Sequence, residues 1–301
     1  DQPRSRGLGD VYKRQAKKNA KNKSAMASQK KVLLDFKEES QFVYGIYRLK
    51  TNVLAIFSKD SIVDRIDHDC YIALKRTCCY AESGGQVSDT GMIIGKNFKA
   101  RLLDAFKAPN GQHIHKVKLL DGFISANDEC EIVLDKDRRK RTECNHSSVH
   151  MLQYALQQCV SSQIRQAGSY VDGDKLRFDF TYSGKMTDDK IIEVENFVND
   201  MINKRIIIST EIMPIDKAKQ IGAMALFNEK YGDVVRVVKI GKSIELCGGT
   251  HATNTKDIER FAIYSYESKG SNLYRIEATT DGKIAVSYTH LRAHETEADL
   301  V

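Results

Sequence analysis

The pattern of this 301-residue sequence changes at residues 146–160, which read HSSVHMLQYALQQCV. The apolar residues of this stretch fall three or four positions apart, which is the spacing of one face of an α-helix. They are Val149, Leu152, Leu156 and Val160. We therefore predict a helix here, and the patterns on its two sides predict different kinds of structure.

The upstream part, from residue 32 to about residue 134, carries short β-type runs. These runs occupy residues 53–57, 71–74, 92–94, 113–117 and 131–134. Turn signals separate them, among them Pro109-Asn110-Gly111 and Leu120-Asp121-Gly122. Several short strands at this spacing predict a small antiparallel barrel or sandwich.

The downstream part mixes strand and helix periods. Alternation predicts a strand at residues 176–180, and an apolar stripe predicts a helix over 188–204 with Thr187 as its N-cap. A further helix is predicted over 216–230, and further strands are predicted at 234–240, 260–266 and 274–279. The predicted fold class is α+β: a small β-barrel-like subdomain over residues 32–141, followed by an α+β domain over residues 142–284.

The composition is that of a globular protein. Hydrophobic residues make up 41% and charged residues 29%, which excludes a wholly disordered chain. No run approaches the roughly 18 apolar residues of a membrane-spanning helix, and we expect no membrane partner. Seven cysteines without framework spacing indicate a reducing compartment, so we expect a cytoplasmic protein or an organellar copy. The net charge of +7 permits a nucleic-acid partner without requiring one.

Both ends of the sequence lack periodicity. Residues 1–15 and 285–301 resemble translated sequencing-adapter text, and we expect them to be artefacts; genuine tails are the alternative. Residues 16–31 are basic and almost free of large apolar side chains, which predicts a solvated linker or helix. We then expect the natural sequence to be cut at both ends, as in a fragment.

Two pairs of residues have the chemistry of metal ligands. His146 and His150 are four positions apart, so a helix presents both imidazoles on one face. Cys247 and His251 flank two glycines and a threonine, and the glycines permit a tight turn that lets thiolate and imidazole converge. Mixed histidine and cysteine ligands favour Zn²⁺. Four protein ligands are typical of a structural zinc site, whereas catalytic sites keep a position for water, and both interpretations stay open.

A dense basic run precedes the histidines. Its members are Lys136, Arg138, Arg139, Lys140 and Arg141. Such a run is commonly a solvated face, but its position beside the predicted metal site makes contact with nucleic-acid phosphates a reasonable hypothesis.

Seven segments resemble motifs of the alanyl-tRNA synthetase family, in the family's order. They are residues 80–91 (YAESGGQVSDTG), 145–152 (NHSSVHML), 166–171 (QAGSYV), 176–180 (LRFDF), 222–227 (GAMALF), 245–251 (ELCGGTH) and 275–278 (RIEA). Each is weak alone, but the ordered set is specific and covers roughly residues 40–282. The sequence departs from the family at Cys78 and Cys79, which replace proline and phenylalanine, at Val149, which replaces threonine, and at Tyr274, which replaces arginine.

This resemblance implies the family's zinc-binding editing domain with its preceding barrel-like subdomain. In that family the domain hydrolyses seryl and glycyl esters at the acceptor end of tRNA(Ala), and we expect no DNA partner. ATP and Mg²⁺ would serve only the aminoacylation domain, whose motifs these residues lack. Arg275, in the last of the seven segments, joins the basic run as a candidate for contact with tRNA phosphates.

The resemblance also suggests roles for individual residues. Ser147 is the candidate reader of the serine hydroxyl, with a helix residue that bonds its own backbone as the competing interpretation. Gln166 is the candidate for orienting the attacking water or the ester carbonyl. Gly84 and Gly85, with Gln86 after them, are candidates for close approach to the ester or the nucleotide.

Three functions stay open on the sequence. The first is a zinc-dependent aminoacyl-tRNA deacylase that is the editing portion of an alanyl-tRNA synthetase. The second is a free-standing trans-editing protein with the same chemistry. The third is a non-catalytic, zinc-stabilised RNA-binding module.

Overall fold

A computed structural model describes residues 32–33, 36–38, 40–58, 61–108, 110–225, 232–270 and 272–282. The predicted basic segment 16–31 and the predicted artefacts 1–15 and 285–301 lie outside the described residues. The chain forms two compact units. Among the described residues, the first unit runs to Ala81 and resumes as Ser88–Leu134, and the second comprises Glu82–Val87 and the chain from Asp135 onward.

The first unit is built from antiparallel strands. They are β1 (Gln41–Phe42), β2 (Arg48–Ser58), β3 (Ser61–Val63), β4 (Arg65–Ile66), β5 (Cys70–Leu74), β6 (Arg76–Thr77), β7 (Gly91–Gly95), β8 (Phe98–Lys107), β9 (His113–Gly122), β10 (Ile124–Ser125) and β11 (Glu129–Leu134). Only the short pair β1–β6 is parallel among the described strands. Six strands close on themselves in the order β2, β5, β9, β8, β7, β11 and back to β2. The predicted barrel is therefore confirmed.

The barrel strands alternate between a buried and an exposed face, and the pairing of β11 with both β7 and β2 closes the sheet. In β8 the buried residues Phe98, Ala100 and Leu102 alternate with exposed ones. Closure leaves the six strands without unpaired edges. At the seam between β7 and β11, a Cβ atom on Gly91 would overlap the Val133 carbonyl oxygen, so glycine is required there.

The second unit combines helices with two antiparallel sheets. Its helices are α1 (Lys136–Cys159), α2 (Asp188–Asn203), α3 (Ile215–Gln220) and a short 3₁₀ helix (Thr255–Asp257). Its strands are β12 (Arg165–Val171), β13 (Leu176–Thr181), β14 (Ile208–Pro214), β15 (Val234–Ile240), β16 (Ser243–Leu246), β17 (Ala262–Gly270) and β18 (Leu273–Thr279). The sheets have the orders β12-β13-β18-β17 and β14-β15-β16. The predicted α+β class is confirmed.

One face of helix α1 is buried in the hydrophobic core of the second unit. Leu152 and Leu156 are fully buried with Phe178 of β13 and Val194 of α2 in one hydrophobic cluster. The helix begins ten residues before the predicted stretch, at Lys136, where the side chain of Asp135 accepts a hydrogen bond from the Arg138 amide. The predicted division after residue 141 therefore falls inside α1.

The two later helices differ in how well the sequence predicts them. Helix α2 matches its prediction, and Thr187 occupies the N-cap position without a side-chain cap bond. Helix α3 ends at Gln220, and residues 226–230 of the predicted longer helix lie outside the described residues. The helix stops because Gly222 adopts a left-handed φ of 78°. Amides of Gly222 and Ala223 then bond the carbonyls of Lys219 and Ala218, as in a Schellman motif.

No helix of the described residues is long and apolar enough to cross a membrane. All seven cysteines are free thiols, as the absence of framework spacing predicts.

The barrel interior contains a buried histidine. His115 is 0% exposed, with Nδ1 3.2 Å from the Ile72 carbonyl oxygen and Nε2 2.8 Å from Thr77 Oγ1. Burial lowers the pKa of His115 to about 4, although the Ile72 contact opposes the shift. The nearby His113 also has a pKa lowered to about 4, by burial and by Lys107.

We expect the free energy of unfolding to decrease as the pH falls from about 6.5 to about 4. In that window the unfolded imidazole takes up a proton and folded His115 does not, so a contribution of about 3 kcal/mol, fully present above pH ~6.5, is lost. His115→Gln should flatten this dependence in urea unfolding at pH 7.5, 6 and 4.5. His68→Gln, at an exposed histidine, is the control. Equal slopes for His115→Gln and the parent would contradict the prediction.

Candidate metal centre

The four predicted ligands come together in the second unit. Helix α1 presents His146 and His150, and the turn after β16 presents Cys247 and His251. Their ligand atoms all lie within 4.8 Å of one another. Cys247 Sγ is 3.5 Å from His146 Nε2 and 3.3 Å from His251 Nε2. This group has the residue types and the spacing to hold a metal ion.

Each imidazole of the cluster has an oxygen atom beside its Nδ1. The pairs are His146 with Gln86 Oε1 at 2.7 Å, His150 with Glu245 Oε2 at 2.9 Å, and His251 with Ser147 Oγ at 3.2 Å. An oxygen acceptor at Nδ1 holds the ring proton there and leaves the Nε2 lone pair for a metal. The donor set therefore fits a bound cation.

The turn that carries Cys247 and His251 is fixed by backbone contacts. The Gly249 amide donates to Cys247 Sγ at 3.3 Å. Arg236 of β15 donates through Nη1 to the carbonyls of Cys247 and Gly249, at 2.9 and 2.8 Å. A Cβ atom on Gly249 would overlap the His146 ring and come 2.5 Å from its Nδ1, so the second glycine of the turn has a steric role.

The electrostatics of the cluster favour a thiolate at Cys247, a neutral imidazole at His251 and a protonated one at His150. Burial opposes ionisation of Cys247, but the surrounding histidines outweigh it and hold the pKa of the thiol well below its usual value. Burial lowers the pKa of His251 to about 3. Burial also acts to lower the pKa of His150, but Glu245 and Cys247 raise it to about 10.

Ser147 lies at the cluster, but its hydroxyl is engaged by the protein. Its Oγ donates to the Glu143 carbonyl at 2.8 Å, as the competing backbone-bonding interpretation expects. The same oxygen accepts from the Ala252 amide at 3.1 Å and faces His251. The geometry thus places Ser147 as a support for the turn and for a ligand.

The glycine segment forms a tight turn. Gly84 and Gly85 have φ values of 58° and 84°, and Ser83 and Gln86 exchange backbone hydrogen bonds across them, as in a type I′ turn. Gly84 is exposed, so its predicted approach to a ligand stays a prediction. Gln86 is 0% exposed, which corrects its predicted direct contact with an ester.

Gln166 lies on β12, and its Nε2 donates to Ser169 Oγ at 3.1 Å. That hydroxyl in turn donates to the Gly84 carbonyl at 3.4 Å. The structure therefore brings Gln166 to the glycine turn, and its predicted role in orienting water or ester stays a prediction.

The basic run forms the first two turns of α1, and its members differ in exposure. Lys136, Lys140 and Arg141 are exposed, and Arg138 is half-buried. Arg139 is 1% exposed and lies 3.6 Å from Glu143, so the prediction of a phosphate contact is corrected for this residue.

Two further arginines of the predicted phosphate set have protein partners. Arg141 Nε donates to the Gly173 carbonyl at 3.1 Å. Arg275 makes a two-pronged contact with Asp179, with distances of 2.7 and 2.8 Å. Its guanidinium is thus held by a carboxylate on the neighbouring strand.

Sequence reasoning missed Glu245, Arg236 and Thr250. Thr250 accepts a hydrogen bond from Gln86 Nε2 at 2.8 Å. A signal existed for Glu245, because it lies two residues before Cys247 and alternation places residues i and i+2 on one side of an extended chain. No comparable signal marks Arg236, which acts on backbone carbonyls.

Two family models match this chain. The model for tRNA synthetases class II (A) matches residues 8–138, so it begins inside the segment predicted as an artefact. The model for the threonyl and alanyl tRNA synthetase second additional domain matches residues 235–277, which include Cys247 and His251. The barrel strands thus lie within a match to class II tRNA synthetases, and two of the four ligand candidates lie within a match to the second additional domain.

The relatives narrow the class to one family. The chain is 41% identical to the alanine–tRNA ligase of Listeria monocytogenes over 268 residues, which are 88% of this chain and 30% of the relative. It is 41% identical to that of Halalkalibacterium halodurans over 260 residues, 85% of this chain and 30% of the relative. For Staphylococcus epidermidis the figures are 40% over 286 residues, 94% and 32%. The chain belongs to the alanyl-tRNA synthetase family and spans about a third of these relatives.

We expect Gly249→Ala to lower the metal content of the purified chain, because the new methyl group displaces the His146 ring. Gly248→Ala is the matched control, since a Cβ there meets no atom within 4 Å. The measurement is bound metal per chain by mass spectrometry, with circular dichroism as the test of folding. Equal metal content in the two folded variants would contradict the steric role of Gly249.

Proposed function

We propose that this chain is the hydrolytic editing part of an alanyl-tRNA synthetase, and that it removes serine and glycine from tRNA(Ala). The observation that carries the proposal is the cluster of one thiol and three imidazoles in a chain of this family. The proposed metal is Zn²⁺, since thiolate and imidazole are its usual ligands. The proposed partner is the acceptor end of tRNA(Ala), in a cytoplasmic setting that suits seven free thiols.

The benefit of such an activity follows from the small differences between the amino acids. Serine exceeds alanine by one hydroxyl, and glycine lacks one methyl group. A single pocket discriminates such neighbours by roughly 10–200-fold. A second, hydrolytic site that bonds the serine hydroxyl can spare the alanyl ester, because alanine would leave that site's polar groups unpaired.

The chain's own residues would prepare this site by fixing the ligands. The Nδ1 atoms of the three imidazoles lie 2.7, 2.9 and 3.2 Å from oxygens of Gln86, Glu245 and Ser147. When bound, Zn²⁺ would supply a Lewis acid toward the ester carbonyl. We propose that Gln166, linked through one serine to the exposed Gly84, orients the ester or the attacking water.

One observation favours a second candidate, a metal-stabilised tRNA-binding module. All four ligands are protein side chains, and four protein ligands are typical of structural zinc sites. Such a module would bind zinc and tRNA without hydrolysing the ester.

We expect the chain to hydrolyse Ser-tRNA(Ala) and to spare Ala-tRNA(Ala). Cys247→Ala removes one of the four ligands, so we expect its deacylation rate to be lower by about 100-fold or more. Cys159→Ala changes a thiol at the end of α1 that is not one of the four ligand candidates, so it is the control and should keep the parent rate. The measurement is loss of labelled aminoacyl-tRNA with time, alongside bound zinc. Zinc and tRNA binding without turnover would favour the second candidate instead.

The exposed lysines at the start of α1 are the proposed contacts to tRNA phosphates. Positive charge near a helix N-terminus opposes the helix dipole and costs about 0.3–1 kcal/mol, so the dipole does not favour lysines at this end of the helix. Lys136 and Lys140 are both exposed in the first two turns of α1.

We expect the double change Lys136→Gln and Lys140→Gln to weaken tRNA binding. It should also reduce the slope of log Kd against log salt by about 1–2, because two phosphate contacts are lost. Lys217→Gln with Lys219→Gln removes the same charge from exposed positions on α3 and is the control. Filter binding at several salt concentrations measures both quantities. Equal slopes for the two double variants would exclude the phosphate contact.

A further inference from the structure

Gln86 has three side-chain contacts at the metal cluster, although it lies 60 residues before His146 and 164 before Thr250. Its Oε1 is 2.7 Å from His146 Nδ1 and accepts from the Thr250 amide at 2.9 Å. Its Nε2 donates to Thr250 Oγ1 at 2.8 Å. With 0% exposure, the side chain has no access to solvent or substrate.

The backbone fixes the direction of this side chain. The type I′ turn at Gly84 and Gly85 ends at Gln86. On either side of Gln86, the Val171 amide donates to the Gly85 carbonyl at 2.7 Å and the Val87 amide donates to the Val171 carbonyl at 3.0 Å. Two backbone hydrogen bonds to β12 therefore flank Gln86 and fix the position of its backbone, and the contacts to His146 and Thr250 hold the side-chain amide.

The orientation of the Gln86 amide is determined by its surroundings. If oxygen and nitrogen were exchanged, the NH₂ group would face the Thr250 amide, and two donors would meet. The oxygen must therefore face both the Thr250 amide and His146 Nδ1. A carbonyl oxygen only accepts, so His146 must carry its proton on Nδ1. This leaves Nε2, the atom 3.5 Å from Cys247 Sγ, with its lone pair toward the cluster.

We propose that Gln86 is a positioning residue for the metal ligand His146: it selects the ligating tautomer and fixes the ring angle. This inference rests on the metal-binding part of the proposed function. Gln86 acts through His146 and touches neither metal nor ester. An apolar residue of the same length would fill the space but would leave the Nδ1–H and the Thr250 amide without an acceptor, a costly arrangement in a buried site.

The test is the metal affinity of the full chain, probed with Co²⁺ absorption and with Zn²⁺ competition against a chromophoric chelator. Gln86→Met keeps the length and removes the acceptor, so we expect the affinity to fall about 10–100-fold and the Co²⁺ spectrum to change. Gln86→Glu keeps an acceptor for both N–H groups, and the Thr250 hydroxyl can rotate to donate to it. We expect its affinity to match or exceed that of the parent.

Thr250→Val distinguishes two roles of Gln86: positioning of His146, and anchoring of the glycine turn to Thr250. It removes the contact to Gln86 Nε2 and keeps the Thr250 amide and the His146 contact, so we expect an affinity within about twofold of the parent. Parent-like affinity of folded Gln86→Met would overturn the proposal, as would an equal loss in Thr250→Val. If Gln86→Met does not fold, Gln86→Glu decides: tight binding supports positioning, and a loss in the folded variant overturns it.

The metal affinity of the chain can be measured without any deacylation assay. A Gln86→Met chain that binds Co²⁺ weakly, beside a parent that binds it tightly and hydrolyses no ester, would support the role of Gln86 and refute the proposed editing activity. The reverse result, full metal affinity in folded Gln86→Met with an active parent, would refute only the role of Gln86.

Discussion

Three imidazoles and one thiol share a small volume in the second unit, and this crowding constrains the elements around it. Burying so many polar groups is unfavourable unless each proton and charge has a partner. Gln86, Glu245 and Ser147 provide those partners from three separate parts of the chain. Helix α1, the turn after β16 and the glycine turn therefore have to meet at one point, and the two sheets of the unit hold them there.

Local patterns predicted much of this arrangement. The spacing of His146 and His150 on a helix, and of Cys247 and His251 around two glycines, was sufficient to predict which four residues converge. The barrel was predictable for a similar reason, because alternation along a single strand determines which face is buried. In both cases the pattern that carries the prediction lies within a few residues of sequence.

Features that depend on distant partners were not predictable in this way. The first ten residues of α1 lack an apolar stripe because buried positions there hold Arg139 and Glu143, which lie against each other. The end of α3 was misplaced because Gly222, inside the predicted helix, adopts the left-handed conformation that terminates a helix. The role of Gln86 depends on a histidine 60 residues away, and a local pattern of apolar residues cannot predict a contact over that distance.

The second unit is formed by two separate segments of the chain, and this limits how its gene can recombine. Glu82–Val87 belongs to this unit although the residues on both sides belong to the barrel. A gene segment beginning at Asp135 would encode all four ligand candidates but not the oxygen that faces the first of them. Recombination that moves the second unit to another protein must therefore carry six codons from within the barrel's coding sequence, or replace them with codons for an equivalent acceptor. The two units are distinct compact bodies, but their coding sequences are interleaved in the gene.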